Sequence, residues 1–377
     1  MKKMLMIASV ASMIDQFNRK NIELLQEMGY DVQVAANFRS GNTSSIKRLK
    51  EFQEELDQRS IKHYHIEFSR KITNWKQNWF AYQQLVTLIT SEKYDFIHCH
   101  SPIGGVCGRL AAVRCNIKAI YTAHGFHFYK GAPLINWIFY YPIERLLASA
   151  TEVLITINQE DYERAKKFSA KNIVYIPGVG IPVADYETTN EVRVGLRKQL
   201  GISEDTIVLL SVGEMSKRKN HKVIIKAIAK LNNDNIVYII CGIGKLEKEL
   251  AKLADKLKVK VIFPGYRNDI KHYYTIADIF AFPSLQEGLP VALMEAMASG
   301  LPIICSYIRG NTDLIENCVG GYLIDSKDIE QFAERINTMI QNKRMRDEMA
   351  LINKKTISNY DEKIVSYIMK NIYESMI

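Results

Sequence analysis

"MKKMLMIASVASMIDQFNRKNIELLQEMGYDVQVAAN", residues 1–37, admits two opposed readings. Two lysines, a short apolar run and small residues imitate a secretory leader. The other reading is a buried strand, "MLMIASV", followed by a helix whose apolar residues are Phe17, Ile22, Leu24 and Leu25. The second reading prevails because "GYDVQVAAN" follows at once as another strand and completes a strand–helix–strand unit. Such a unit joins parallel strands, because a parallel pair needs a long crossover between its members.

The same rhythm continues along the chain. "DFIHCH", "KAIYTAH", "EVLITIN" and "NIVYIPG" are further strand candidates in the first half. "TIVLLSVG", "NIVYIICG", "VKVIFPG", "DIFAFPS", "PIICS" and "GYLID" follow in the second. Most are continuous apolar runs, as expected of parallel strands covered on both faces. Helices intervene, for example Asn220–Leu231 and Lys245–Leu257. This is the pattern of a doubly wound α/β sheet, and it occurs twice. The stretch 177–193, "PGVGIPVADYETTNEVR", is rich in Gly, Pro and polar residues and reads as a linker. A helix over Arg193–Leu200 then opens the second half. The chain of 377 residues suits two domains. We expect them at 1–180 and 181–360. Helices near 343–358 and 361–375 have no strand to return to, so the segment 360–377 is expected to cross back and brace the first domain.

Composition narrows the class. Hydrophobic residues make up 47% and charged residues 24%, which suits a folded globular chain. No apolar run approaches the roughly 20 residues needed to span a bilayer. The six cysteines form no C-x-x-C pair, which favours free thiols in a reducing cytoplasm over disulfides or a zinc site. The net charge is +9 and uneven: residues 1–180 hold 23 Lys and Arg against 16 Asp and Glu, the remainder 27 against 25. A basic first half suits an anionic substrate or an anionic membrane surface. Trp137, Phe139, Tyr140 and Tyr141, together with Arg70, Lys71, Trp75, Lys76 and Trp79, could make a basic-aromatic face for that membrane. No nucleic-acid-binding motif is present.

The chemistry concentrates in "QEGLPVALMEA", residues 286–296. Leu289-Pro290 reads as a helix start, with Pro290 at the first helical position where its missing N–H costs nothing. Glu287 then sits beside a helix N-terminus, and Glu295 lies within the first two turns. A helix N-terminus attracts anions such as phosphate, while carboxylates accept hydrogen bonds from hydroxyls. A ligand carrying both, such as a nucleotide-sugar, satisfies every group. In open α/β sheets ligands bind at the carboxyl ends of strands, and two such domains facing each other would make a deep cleft. Ser9–Asp15, His124-Gly125, Gly213–His221, Gly242–Gly244 and Glu287 all fall at strand ends. His98, His100 and His127 read as structural.

These segments together resemble the retaining glycosyltransferases of family 4, which have the two-domain GT-B fold. "EGLPVALMEA" matches the family's E-x7-E motif. "TAHGFHFYKGAP", "LITINQEDYERA", "YIPGVGI", "SVGEMSKRKNH", "CGIGKLEKEL" and "PGYRNDI" stand in the family's order, so the resemblance covers nearly the whole chain. It is strongest to bacterial enzymes that build capsular or exopolysaccharide repeat units.

The resemblance implies transfer of a hexose or N-acetylhexosamine from a nucleotide diphosphate donor, with UDP expected, and with anomeric configuration retained. It implies that Glu287 holds donor sugar hydroxyls and that Gly288, Leu289 and Pro290 line the sugar and phosphates. Glu295 binds the ribose, Lys219 pairs with the diphosphate, His124 faces the donor sugar, and Tyr266-Arg267 lies at the base. Arg218 would assist Lys219, Gly213 and Gly242 would let the backbone approach, and small Ser12 would do so in the first domain. No metal is expected. The implied acceptor is linked to a polyprenyl diphosphate, which would bring a cytoplasmic enzyme to the inner face of the membrane as a peripheral protein. Two departures from the family stand out: Glu214 occupies a position where an arginine is common, and "SVASMIDQF" lacks a Gly-Gly turn. A UDP-sugar 2-epimerase and a binding-only pseudo-enzyme are the alternatives.

Overall fold

The run that imitates a leader is a central strand. Met4, Leu5, Met6, Ile7 and Ala8 are fully buried, which at about 1.5–3 kcal/mol for each large apolar side chain is a strong drive toward the sheet. In the computed structural model, which describes residues 2–187 and 189–376, the chain divides into two units. One comprises the residues up to Val179 together with those from Lys363 onward, and the other is Gly180–Glu362.

Among the described residues the first unit holds a seven-stranded sheet, β3-β2-β1-β4-β5-β6-β7. Its strands are β1 (Lys2–Ala8), β2 (Tyr30–Ala36), β3 (His63–His65), β4 (Phe96–His100), β5 (Lys118–Ala123), β6 (Val153–Thr156) and β7 (Asn172–Tyr175). β1 pairs in parallel with β2 and β4, with Met6 opposite Val34 on one side and His98 on the other. The second unit holds a six-stranded sheet, β10-β9-β8-β11-β12-β13. Its strands are β8 (Ile207–Val212), β9 (Ile236–Cys241), β10 (Val261–Gly265), β11 (Ile279–Phe282), β12 (Ile303–Ser306) and β13 (Gly321–Ile324). Each sheet runs outward from its first strand in both directions, so each unit is a Rossmann-like, doubly wound domain with a switch point at the strand ends.

Several elements differ from the sequence reading. The single helix expected after β1 is two, Ala11–Phe17 and Arg19–Glu27. Asn18 leaves helical geometry at φ −128°, ψ 6°, and its side chain donates to the Met13 carbonyl and accepts from the Asn21 amide. β3 went unread because His-Tyr-His has no apolar run, yet Val34 of β2 pairs with His63. The helix expected from Asn220 begins at Lys222, since Asn220 is left-handed at φ +57°. Pro290 is the cap preceding helix Val291–Ala298, with extended φ −82° and ψ 115°, not its first helical residue.

The last helix, Glu362–Glu374, belongs to the first unit from Lys363 onward. Its Tyr373 is fully buried, packs on Phe96 at 6.1 Å between ring centres, and bonds His98 Nδ1 at 2.9 Å. Five cysteines are buried or partly buried and Cys318 is exposed, all as free thiols. No helix among the described residues is long and apolar enough to cross a membrane.

Candidate functional site

In the second unit three loops leave the carboxyl ends of β8, β9 and β10 and hold one another through their backbones. Gly213 N–H donates to the Cys241 carbonyl (2.9 Å) and Gly242 N–H to the Gly265 carbonyl (2.8 Å). Met215 N–H donates to Ile243 (3.1 Å), and Met215 accepts from Leu246 N–H (3.1 Å). Gly242 has φ +146°, and a side chain there would fall on the Gly213 carbonyl. One at Gly244 would fall on the Met215 backbone. Glycine at both positions is therefore what brings the loops into contact.

The β8 loop delivers two cations to Glu287. Lys219 Nζ lies 2.8 Å from Glu287 Oε1, and Arg218 Nη1 donates to the same oxygen at 2.7 Å. Asn220 fixes the turn behind them: its amide donates to the Pro283 and Ser326 carbonyls at 3.1 and 2.8 Å. Arg218 also clasps the loop that follows β11, donating to the Gln286 carbonyl (3.1 Å) while its own carbonyl accepts from Leu285 N–H (2.8 Å). The Lys219 ammonium stands 4.4 Å from the centre of the Phe282 ring. Burial alone would push the Glu287 carboxyl up, but Lys219 and Arg218 outweigh it and hold it below its usual range. Burial lowers Lys219, only partly offset by Glu287. The side chain of Glu214 is exposed, and its charge favours the charged form of Lys219.

Two residues beside this cluster escaped the sequence reading. Arg309 Nε donates to the Glu287 carbonyl at 3.1 Å. Gly310, at φ +78°, lies against Gly288 so closely that a side chain would meet the Gly288 carbonyl. The "IRG" that follows β12 carries no recognisable motif; only the packing of its loop on Gly288 reveals it. Leu289 and Pro290 are buried, and the Pro290 carbonyl accepts the first helical bonds from Leu293 and Met294.

Glu295 lies one turn further along the same helix, and two phenols hold it. Tyr186 O–H donates to Oε1 at 2.7 Å and Tyr274 O–H to Oε2 at 2.8 Å. Burial raises the Glu295 carboxyl above its ordinary value, with the two phenols acting against that rise. Tyr186 arrives from the short 3-10 turn Val183–Tyr186, inside the stretch read only as a linker. Tyr266 is 73% exposed beyond β10, and Arg267 is paired with Asp269 at 2.7 Å.

His124 and Ser12 lie in the first unit. His124 follows β5, and its Nε2 is 3.1 Å from His100 Nδ1. Burial pulls its pKa down to about 4. It borders a cavity of about 20 Å³ with Phe17, His100, Thr122 and Met369. Such a space holds about one water. Ser12 is buried and its hydroxyl is occupied by Thr43, accepting from the backbone N–H at 3.1 Å. No group of three or more His, Cys, Asp or Glu among the described residues is arranged to hold a metal ion.

The fold thus gathers Arg218, Lys219, Glu287, Gly288, Leu289 and Pro290 into one cluster, sets Gly213 and Gly242 in the adjoining loops, and gives Glu295 separate partners. Residues 193–356 match the family described as glycosyl transferases group 1, and residues 21–179 match glycosyltransferase family 4. A Bacillus subtilis (strain 168) protein named as glycosyltransferase EpsD is 33% identical across 99% of this chain and 97% of its own length. The Escherichia coli UDP-Gal:alpha-D-GlcNAc-diphosphoundecaprenol alpha-1,3-galactosyltransferase is 32% identical over 68% of each chain. In fold, the chain is similar to Anabaena Alr3699/HepE, whose crystal structure is a complex with UDP and glucose. The TM-score is 0.80 at 20% identity, with both chains fully covered.

Proposed function

The chain belongs to the GT-B glycosyltransferases of the group 1 and family 4 type, enzymes that transfer glycosyl groups, and we propose that it moves a hexose or N-acetylhexosamine from a UDP-linked donor to a lipid-linked saccharide with retention of configuration. The observation that carries this reading is the convergence of Lys219 and Arg218 on Glu287 beside the start of helix Val291–Ala298. Breaking a glycosyl–phosphate bond builds negative charge on the leaving diphosphate and positive charge near the anomeric carbon. Fixed cations and helix amides aimed at the diphosphate stabilise that state. An ionised Glu287 accepts from sugar hydroxyls, since a carboxylate has about four acceptor sites and the two cations share one oxygen. Glu295, oriented by Tyr186 and Tyr274, accepts from the ribose, and exposed Tyr266 and Arg267 meet the base.

The second unit binds the donor and the first the acceptor, with His124 facing the donor sugar. The acceptor attacks on the face the diphosphate leaves, and the departing phosphate oxygen takes the acceptor's proton. A UDP donor is supported by the UDP complex of the Anabaena structure. A polyprenyl-diphosphate acceptor is supported by the name of the E. coli relative. The relatives' names favour transfer over the epimerase alternative, and the exposed position of Glu214 leaves the cation cluster intact against the pseudo-enzyme alternative.

Membrane contact suits the first unit. In helix Leu134–Ala148, Leu134, Ile135, Ile138, Phe139 and Leu146 are exposed, whereas Trp137, Tyr140 and Tyr141 pack inward. Trp75, Trp79 and Phe80 are exposed on helix Trp75–Glu92, with Lys76 over the Trp75 ring. Exposed apolar side chains on a unit of net positive charge fit an anionic lipid surface.

A thermal-shift screen of UDP- and GDP-linked sugars tests the central reading. A ligand at 100 times its Kd stabilises the folded state by about 2.7 kcal/mol. UDP-sugars should raise Tm and the free sugars should not. Transfer should also survive EDTA. Indifference to every nucleotide-sugar would refute the donor site.

A further inference from the structure

His100 and His124 end adjacent strands and share a hydrogen bond whose polarity is fixed by a third residue. His100 closes β4, is 1% exposed, and pairs in register with Thr122 of β5. Its Nδ1 stands 3.1 Å from His124 Nε2, and its Nε2 stands 3.1 Å from the sulfur of Met6 on β1. A thioether sulfur has no proton and acts only as an acceptor. The imidazole nitrogen facing it must therefore carry hydrogen, since two lone pairs meeting in a dry interior would repel without compensation.

The rest follows by counting protons. A neutral imidazole carries one N–H. With that proton on His100 Nε2, Nδ1 is a bare lone pair, and its bond to His124 exists only if His124 Nε2 donates. His124 then has its single proton on Nε2, and its Nδ1 is a lone pair that makes no hydrogen bond to any described residue. Both rings stay neutral near pH 7, because burial lowers His100 well below its usual value and His124 to about 4. His98 stacks on His100 with ring centres 4.1 Å apart, but its nitrogens are engaged by Tyr373 and Thr122, at 2.9 and 2.8 Å, and take no part.

We propose that Met6 and His100 lock His124 in the Nε2–H tautomer, so that Nδ1 is presented as an acceptor for a hydroxyl of the transferred sugar. His100 is thereby a positioning residue, acting through His124. This rests on the reading that His124 faces the donor sugar. The consequence for specificity is that His124 accepts from a sugar O–H; it cannot donate to a ring or carbonyl oxygen through that atom without becoming charged. The opposite tautomer would leave a donor there, unable to accept from a hydroxyl.

The test is long-range proton–nitrogen NMR on the full-length protein with 15N-histidine at pH 7.5, with the His124 signals assigned from His124→Gln. Wild type should show His124 Nε2 as the protonated nitrogen and Nδ1 as the bare one. Met6→Leu keeps core volume but removes the acceptor, so His124 should become a mixture of tautomers. In the same variant kcat should fall about 2- to 10-fold, the equivalent of one neutral hydrogen bond, with KM for the donor little changed. His100→Asn puts an amide oxygen near the Nδ1 position and should restore the His124 spectrum and most of kcat; His100→Leu should restore neither. Finding His124 protonated on Nδ1 in wild type, or unchanged in both Met6→Leu and His100→Leu, overturns the proposal. The expected spectra combined with parental turnover in His124→Ala would overturn its functional half and the sugar-facing reading of His124, while donor binding by the second unit would stand.

Discussion

Lys219 Nζ and Glu287 Oε1 are 2.8 Å apart, with their side chains only 11% and 10% exposed. A pair this dry resists the loss of either member. Removing one leaves a charge desolvated without its partner, and that penalty usually exceeds what the pair contributed. On the function proposed above, the pair ties the donor chemistry to the stability of the β8 loop.

Glu287→Ala should reduce transfer by at least the value of one hydrogen bond to a charged group, about 1.5–3 kcal/mol or 10- to 150-fold in kcat/KM. It should also lower Tm, because Lys219 and Arg218 then face each other without the shared carboxylate. Lys219→Met with Glu287→Gln should recover part of the lost stability without recovering turnover. Parental kcat/KM in Glu287→Ala would remove this residue from the site.

Tyr186→Phe and Tyr274→Phe each delete one donor to Glu295. Each should weaken UDP binding by about 1.5–3 kcal/mol at most, and Glu295→Ala by a similar amount. Calorimetric titration with UDP reads this directly. Because both phenols act through one carboxylate, the double Phe variant should lose little more once Glu295 is already Ala. Additive losses in that background would separate the tyrosines from Glu295.

The first unit should lose stability in mild acid. Burial brings His98 to about 3 and His124 to about 4, and takes His100 well below the ordinary 6.5. As pH falls below about 6.5 the unfolded chain takes up protons first, so the native state is penalised by up to about 1.4 kcal/mol per pH unit for each such histidine. The loss should continue until the folded values near 4 and 3 are reached. All three tryptophans, Trp75, Trp79 and Trp137, lie in this unit, so urea melts followed by tryptophan fluorescence at pH 7.5 and 5.0 report it selectively. Equal midpoints would contradict the buried, neutral histidines.

Pelleting with anionic vesicles should exceed pelleting with neutral ones and should fall as salt rises, since each Lys or Arg near the surface is worth about 1 kcal/mol and ions screen it. Ile138→Glu with Phe139→Glu should abolish it while leaving the UDP-induced Tm shift intact. Pelleting that is negligible in every condition would point to a soluble acceptor.

What could be read from the sequence alone was local and periodic. Continuous apolar runs give parallel strands, so twelve of the thirteen strands among the described residues and their two-sheet division were legible; β3, three residues long with two histidines, has no run to read. The E-x7-E spacing and the glycine turns were legible because one short segment carries each. Only tertiary structure decided which side chains meet across long separations. Tyr186 reaches Glu295 from 109 positions away, Arg218 reaches Glu287 from 69, and Tyr373 reaches His98 from 275. In the proposed tautomer lock, the proton on His124 is likewise set by a methionine on another strand, acting through His100. Hydrogen bonding depends on distance and direction in space, and the chain encodes those only through the packing of the whole sheet.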